Sequence, residues 1–152
     1  MMKILIMALT LPLCISLATP AQASAQIMEM NGTWVLNTGK TIGPSPVKES
    51  LVFEISEGVQ TYTMTSTDAD GREGLNEWAI EYDGLDHPTN TGSGNTASIR
   101  QLGEKTELVT NKTNGRVTST YTRVLVDNDR TIMSVGRDGD GKILWVRVFE
   151  KR

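Results

Sequence analysis

The sequence predicts one all-β domain, a single antiparallel up-and-down barrel of about eight to ten strands. Thr and Val are frequent, and turn-forming Gly, Asn and Asp recur about every 8–12 residues, as in chains of short antiparallel strands. A Gly-Thr-Trp sequence ending at Trp34 opens the first strand, and Arg147 lies in the last. An arginine that stacks over an indole can close one end of a barrel.

Nine strands are predicted, each alternating between an inward and an outward face. Compact turns join most of them. Two longer connections, 68–76 and 83–95, are expected at the barrel mouth, where functional loops would lie. The predicted strands span residues 33–37, 50–56, 59–67, 77–82, 96–102, 106–112, 116–127, 131–136 and 143–150.

The first 23 residues are typical of a signal peptide, with Lys3, an apolar stretch over 4–18 and small residues before the cleavage site. The apolar stretch is shorter than the roughly 20 residues that span a bilayer, so no integral membrane span is expected. Residues 24–30 are predicted to be a flexible lead-in and 31–152 the barrel domain. The mature protein is expected in the periplasm or the medium of a bacterium.

Cleavage would also remove Cys14, the single cysteine of the chain. The mature protein would then lack disulfides and thiolate metal sites. Loss of Lys3 leaves 14 basic against 18 acidic residues, a net charge of −4, and the basic residues are scattered. A nucleic-acid partner is therefore not expected, because phosphate neutralisation requires a basic face.

Strand alternation separates a largely apolar inner face that carries two arginines, Arg123 and Arg147. An inward arginine needs partners, because an unpaired buried charge costs several kcal/mol. Trp34 and Arg147 are predicted to form a structural plug. The predicted ligand-binding residues are Trp78, Tyr82, Tyr121 and Arg123. The other residues placed on the inner face are Leu51, Phe53, Ile55, Ile80, Val117, Leu125, Ile143, Trp145 and Phe149.

His87 is the only histidine, and it follows Asp86. The two residues are weak candidates for an acid/base pair, since a carboxylate raises imidazole basicity. Gly84 and Pro88 explain the same segment as a turn, and no nucleophile stands nearby in the sequence. No cofactor and no metal site are predicted.

Three segments of the chain are distinctive: Asn31-Gly32-Thr33-Trp34-Val35-Leu36-Asn37, Glu81-Tyr82-Asp83-Gly84-Leu85-Asp86-His87-Pro88 and Val148-Phe149-Glu150-Lys151. Together they resemble a family of small secreted bacterial lipocalin-like proteins of the calycin type. The resemblance implies the barrel fold. The last strand is also similar to that of the fatty-acid-binding proteins, in which an Arg-x-Tyr sequence binds the ligand carboxylate. The corresponding residues here are Arg147-Val148-Phe149, so phenylalanine stands in place of the tyrosine and its hydroxyl is missing.

Three functions are consistent with the sequence. The first is binding of a small apolar or amphipathic molecule inside the barrel, by analogy with the fold. The second is a barrel enzyme, a lyase, isomerase or hydrolase, that uses His87, Asp86 or Tyr82 of the loop from Tyr82 to His87, or Arg123. The third is an envelope interaction module with a solidly packed barrel. An interior cavity, or its absence, discriminates between them.

Overall fold

The computed structural model describes residues 30–152, which form one ten-stranded antiparallel sheet that curls into a nearly closed barrel. The predicted signal peptide, 1–23, and residues 24–29 of the predicted lead-in lie outside the described residues. The strands are β1 (Gly32–Leu36), β2 (Lys48–Ser56), β3 (Val59–Thr67), β4 (Glu73–Glu81), β5 (His87–Pro88), β6 (Asn95–Gly103), β7 (Thr106–Thr113), β8 (Arg116–Val126), β9 (Thr131–Asp138) and β10 (Ile143–Lys151).

The strand order is β4-β3-β2-β1-β10-β9-β8-β7-β6-β5. Strands adjacent in sequence therefore pair with each other, except β4 and β5, which form the two edges of the sheet, and β1 pairs with β10. This is the predicted all-β, antiparallel up-and-down barrel, and that fold class is confirmed. The sequence did not predict β5, because a two-residue strand is too short to show alternation. Among residues 30–152, no helix is long and apolar enough to cross a membrane.

The predicted long connection 68–76 is wrong. β4 begins at Glu73, and Gly74 and Asn76, which look like turn formers, lie in the ladder opposite Ser66 and Met64. The connection shrinks to residues 68–72. There the Asp68 carboxylate accepts hydrogen bonds from the backbone amides of Asp70 and Arg72, both at 2.9 Å.

The strand registers define two ends of the barrel. The closed end carries the turns at 57–58, 104–105 and 127–130, the connection 82–86 and both ends of the described chain. The predicted long mouth connection 83–95 is therefore wrong in part, because β5 divides it and only 89–94 lies at the mouth. The mouth carries the connections 37–47, 68–72, 89–94, 114–115 and 139–142. The connection 37–47 continues the barrel wall beyond β1, because Ile42 and Val146 exchange backbone hydrogen bonds of 2.8 and 2.9 Å.

Trp34 fills the closed end, where it is fully buried as predicted. Its indole nitrogen donates to the carbonyl of Met30 at 2.8 Å. Met30 itself is fully buried, so the barrel core begins one residue inside the predicted lead-in.

The cation over Trp34 is not the predicted one. The Lys151 ammonium lies 5.1 Å from the ring centroid, because the β1–β10 register sets Trp34 opposite Lys151. Arg147 stands four residues further along β10, roughly 13 Å nearer the mouth at the usual strand rise. Its guanidinium lies over Trp145 instead, at 4.5 Å.

The inward face follows the predicted alternation except beside two bulges. Val117 pairs with Lys112 beyond the register shift that follows Asn111, so Thr118 rather than Val117 lines the barrel interior. Ile143 is 56% exposed, because the β9–β10 register shifts between Ile143 and Trp145. A bulge of this kind reverses the face on which the preceding residue lies.

Candidate ligand-binding cavity

An interior cavity of about 330 Å³ occupies the half of the barrel nearer the mouth. Every strand except β1 and β5 contributes to its wall. The cavity is lined by Glu49, Leu51, Tyr62, Met64, Asn76, Trp78, Thr89, Thr91, Asn95, Thr96, Asn111, Lys112, Thr113, Thr118, Tyr121, Arg123, Ser134, Trp145, Arg147 and Phe149.

Aromatic rings form much of the apolar wall. Tyr62 and Trp78 are cross-strand partners on β3 and β4, and their rings stack with centroids 4.6 Å apart and planes 23° from parallel. Tyr121 and Trp145 face each other in a tilted arrangement at 6.4 Å. Rings in these geometries give a flat, rigid apolar surface against which a ligand can bury area.

Trp145 lies flat against the wall because its neighbour on β9 is Gly136. The two residues are paired across the strands. A β-carbon at position 136 would overlap the six-membered ring of the indole. Glycine at this position therefore sets the orientation of Trp145 and the width of the cavity beside it.

The wall near the mouth is rich in hydroxyl and amide groups, among which lies the charged side chain of Lys112. Asn111 donates to the Ser119 hydroxyl at 3.0 Å, and Thr113 donates to the Asn95 side-chain carbonyl at 2.7 Å. The side-chain oxygen of Asn76 is buried and has no hydrogen-bond partner. A ligand that enters the cavity therefore passes mostly neutral polar groups before it meets the aromatic rings.

Arg147 reaches into the cavity from β10 and is held by Glu49 of β2. Its Nη1 donates to a Glu49 carboxylate oxygen at 2.7 Å, whereas its Nε is buried without a partner. The Glu49 side chain is almost fully buried. Burial raises the pKa of the Glu49 carboxyl, and the Arg147 charge opposes that rise.

Arg123 lies deeper and is also paired. It is 2% exposed, and its Nη1 donates to the fully buried Glu107 at 2.5 Å. Its guanidinium carbon lies 4.7–4.9 Å from the ring centroids of three aromatic residues, which supply cation–π contacts. The three rings are those of Phe53, Tyr62 and Tyr121.

Gln60 and Tyr82 complete the shell around Glu107. The Tyr82 hydroxyl donates to the second carboxylate oxygen of Glu107 at 2.7 Å, and the Gln60 amide donates to the same oxygen at 3.1 Å. Burial, and next to it the Glu107 charge, raises the pKa of the Tyr82 phenol, so the phenol remains protonated and keeps donating. The Arg123 charge is therefore neutralised within the protein itself.

The structure brings together three of the four predicted ligand-binding residues. Trp78, Tyr121 and Arg123 line the cavity. Tyr82 is not among the described residues that line it, since its hydroxyl is directed to Glu107. Glu49 and Glu107 were missed, although both lie on the inward face of their strands by simple alternation and both face an inward arginine.

The two weak catalytic candidates do not face each other. His87 Nε2 lies 2.9 Å from the Asp83 carboxylate, and Asp86 accepts from the Lys112 ammonium at 2.8 Å. Of the residues described, those that line the cavity include neither His87 nor Asp86. No three His, Cys, Asp or Glu side chains within residues 30–152 cluster closely enough to hold a metal ion.

Fold and cavity together define a lipocalin- and fatty-acid-binding-protein-like barrel. The chain is similar in structure to the fluorescent protein UnaG, with 16% identity and a TM-score of 0.61 over 84% of this chain and 100% of that one. It is also similar to apo lipid binding protein 8 of Caenorhabditis elegans, with 13% identity and a TM-score of 0.60 over 86% and 100% of the two chains.

A third similar structure is the zebrafish ileal bile acid-binding protein in complex with cholic acid, with 14% identity and a TM-score of 0.50 over 82% and 99%. At such identities the similarity shows the fold alone. No protein-family model matches the chain, and none of the curated proteins matches it. The resemblance to secreted bacterial proteins stays a prediction.

Proposed function

We propose that this protein binds a small, largely apolar molecule inside its barrel. The observation that carries the proposal is the cavity of about 330 Å³ with five aromatic side chains in its wall. This volume falls within the range of small-molecule sites in proteins, roughly 300–1,000 Å³. Burial of an apolar ligand there contributes about 25 cal/mol per Å² of apolar surface removed from water.

The similar structures support the same proposal. One of them is a lipid binding protein, and another holds cholic acid. The cavity of this chain opens at the same end of the barrel as the longest connections, 37–47 and 89–94, so a ligand enters between them.

The two alternative functions have less support. A barrel enzyme would place an acid/base group against the ligand, whereas His87 pairs with Asp83 away from the cavity wall. A solidly packed interaction module would have no cavity of this size. Ligand binding therefore accounts for more of the observed geometry than either alternative.

Export belongs to the proposal. Its support is the sequence of residues 1–23, with its basic start, apolar segment and small residues before the cleavage site. We propose that the mature barrel carries or stores its ligand outside the cytoplasm.

Titration with the neutral apolar dye Nile red tests the binding proposal. Saturable fluorescence enhancement at one dye per chain is expected. Met64→Trp should abolish it, because Met64 lines the cavity and the larger side chain fills it. Thr63→Trp is the matched control, since Thr63 is the next residue on β3 and faces outward. Equal dye binding by both variants would place the dye outside the barrel and overturn the proposal.

A further inference from the structure

The charges in the cavity wall cancel in pairs. Arg147 is matched by Glu49 at 2.7 Å, and Arg123 is matched by Glu107. Lys112, the remaining cation of the lining, is matched by Asp86 at 2.8 Å. Each positively charged side chain in the cavity wall therefore already forms an ion pair with a carboxylate of the protein.

An anionic ligand would disturb this balance. A ligand carboxylate that binds Arg147 stands beside the buried Glu49 carboxylate, and like charges in a poorly solvated site repel strongly. If the ligand displaces Glu49, that carboxylate is left buried without its partner, which is strongly unfavourable. A ligand carboxylate is also not expected to bind Arg123, since this side chain is almost fully buried and already paired with Glu107.

Two polar atoms in the wall have no partner in the protein. The Asn76 side-chain oxygen is a free acceptor, and Arg147 Nε is a free donor. Buried polar atoms in native proteins are nearly always hydrogen-bonded. A hydroxyl can donate to the first and accept from the second without adding charge.

We infer that the cavity selects a neutral ligand, an apolar molecule that carries a hydroxyl group, and discriminates against the corresponding carboxylate. This inference rests on the proposed binding function and names its ligand class. Long-chain alcohols and hydroxylated polycyclic lipids have the required chemistry. The determinant of the selectivity is Glu49, which holds Arg147 so that a ligand acid does not.

Decanol and decanoate are the matched probes, because they share one chain and differ in the charge of the polar group. In competition with Nile red at neutral pH, the wild-type protein should bind decanol about tenfold tighter than decanoate. Glu49→Gln should reverse this order, since it leaves Arg147 without a carboxylate that the ligand acid then supplies. Glu54→Gln, on the outward face of the same strand, should leave the preference unchanged.

Any apolar cavity binds an alcohol more tightly than a carboxylate. Reversal of the decanol preference by Glu49→Gln therefore distinguishes selection by Glu49 from this general effect. Asn76→Leu gives a second readout. This variant should bind decanol about fivefold more weakly and Nile red with unchanged affinity, because Nile red has no hydrogen to donate to the side-chain oxygen of Asn76.

Decanoate binding to the wild-type protein as tightly as decanol, with Nile red still bound, would overturn the inference and leave the binding function intact. An unchanged decanol preference in Glu49→Gln would overturn it as well. Failure of both Nile red and decanol to bind would instead refute the binding function itself.

Discussion

Arg147 of β10 and Glu49 of β2 form a 2.7 Å ion pair across the mouth end of β1, the strand that lies between theirs in the sheet. β1 pairs with β10 only opposite Phe149–Lys151, and its pairing with β2 ends at Val35 and Ser50, so the ion pair adds a side-chain link between β10 and β2 just beyond these two ladders. The same pair lines the cavity. It therefore ties the wall together and sets the charge that a ligand meets.

Trp34→Ala should destabilise the protein by about 3–5 kcal/mol, the usual cost of truncating a fully buried large aromatic residue. Urea unfolding followed by circular dichroism measures the change. Lys151→Ala, which removes the cation over the ring, should cost no more than about 1 kcal/mol. A Trp34→Ala protein as stable as the wild type would contradict the assignment of Trp34 to the closed-end core.

Removal of one partner from the Arg123–Glu107 pair should be more costly than removal of both. Arg123→Met alone leaves the Glu107 carboxylate buried without its cation, which costs about 3–5 kcal/mol in comparable pairs. The double variant Arg123→Met/Glu107→Leu should recover a large part of that loss. A double-mutant cycle on unfolding free energies measures the coupling, and simple additivity of the two single changes would show that the pair is not coupled.

The sequence predicted much of the fold because β alternation has a strict period of two. That period placed Arg123 and Arg147 on the inner face, and the structure has both in the cavity wall. It failed at Ile143, where a bulge changes the face. It also failed for 68–76, where Gly74 and Asn76 have turn-like chemistry but lie in a strand.

Partner choice inside the barrel could not be predicted in the same way. Glu49 is 98 residues from Arg147 in the chain. The pairing of β1 with β10 brings them together, and no short turn connects these two strands in the sequence. The same ladder decides that Lys151 rather than Arg147 lies over Trp34. The period of two predicts which face of the sheet each residue lies on. The register between two strands that are distant in the sequence is set only when the barrel closes, so it could not be predicted from that period.

Trp78→Ala should weaken Nile red binding about tenfold, because the indole supplies apolar contact area in the cavity wall. His87→Ala should leave dye binding unchanged, since His87 pairs with Asp83 and is not among the described residues of the cavity wall. Parallel titrations of the two variants make the comparison. If His87→Ala weakens the dye as much as Trp78→Ala, the loop that carries His87 forms part of the binding site.

N-terminal sequencing of the exported protein should find a chain that begins at Ser24 or Gln26, because the small residues Ala23 and Ala25 fit a signal-peptidase site. Met1 at the start of protein recovered only from the cytoplasm would contradict export. Cell fractionation with antibody detection supplies the control for lysis.

The pH dependence of stability should carry a signature of Glu49. Burial raises the pKa of its carboxyl above the ordinary value of 4.5, against the opposing charges of Arg147 on β10 and Arg123 on β8. Tyr62 of β3 is the other titratable group that faces it. The folded state therefore holds the Glu49 proton more tightly than the unfolded state does, and the contribution of this group to stability falls as pH rises through the window just above 4.5.

Glu49→Gln lacks this titration. The unfolding free energy of the wild type minus that of Glu49→Gln should therefore fall with rising pH in that window, with a slope of at most about 1.4 kcal/mol per pH unit. Urea unfolding at a series of pH values measures it. Glu54→Gln, an exposed position on the outward face of the same strand, is the control for the glutamate-to-glutamine change itself. A difference that rises with pH would mean that the Arg147 charge outweighs burial and lowers the pKa of Glu49 instead.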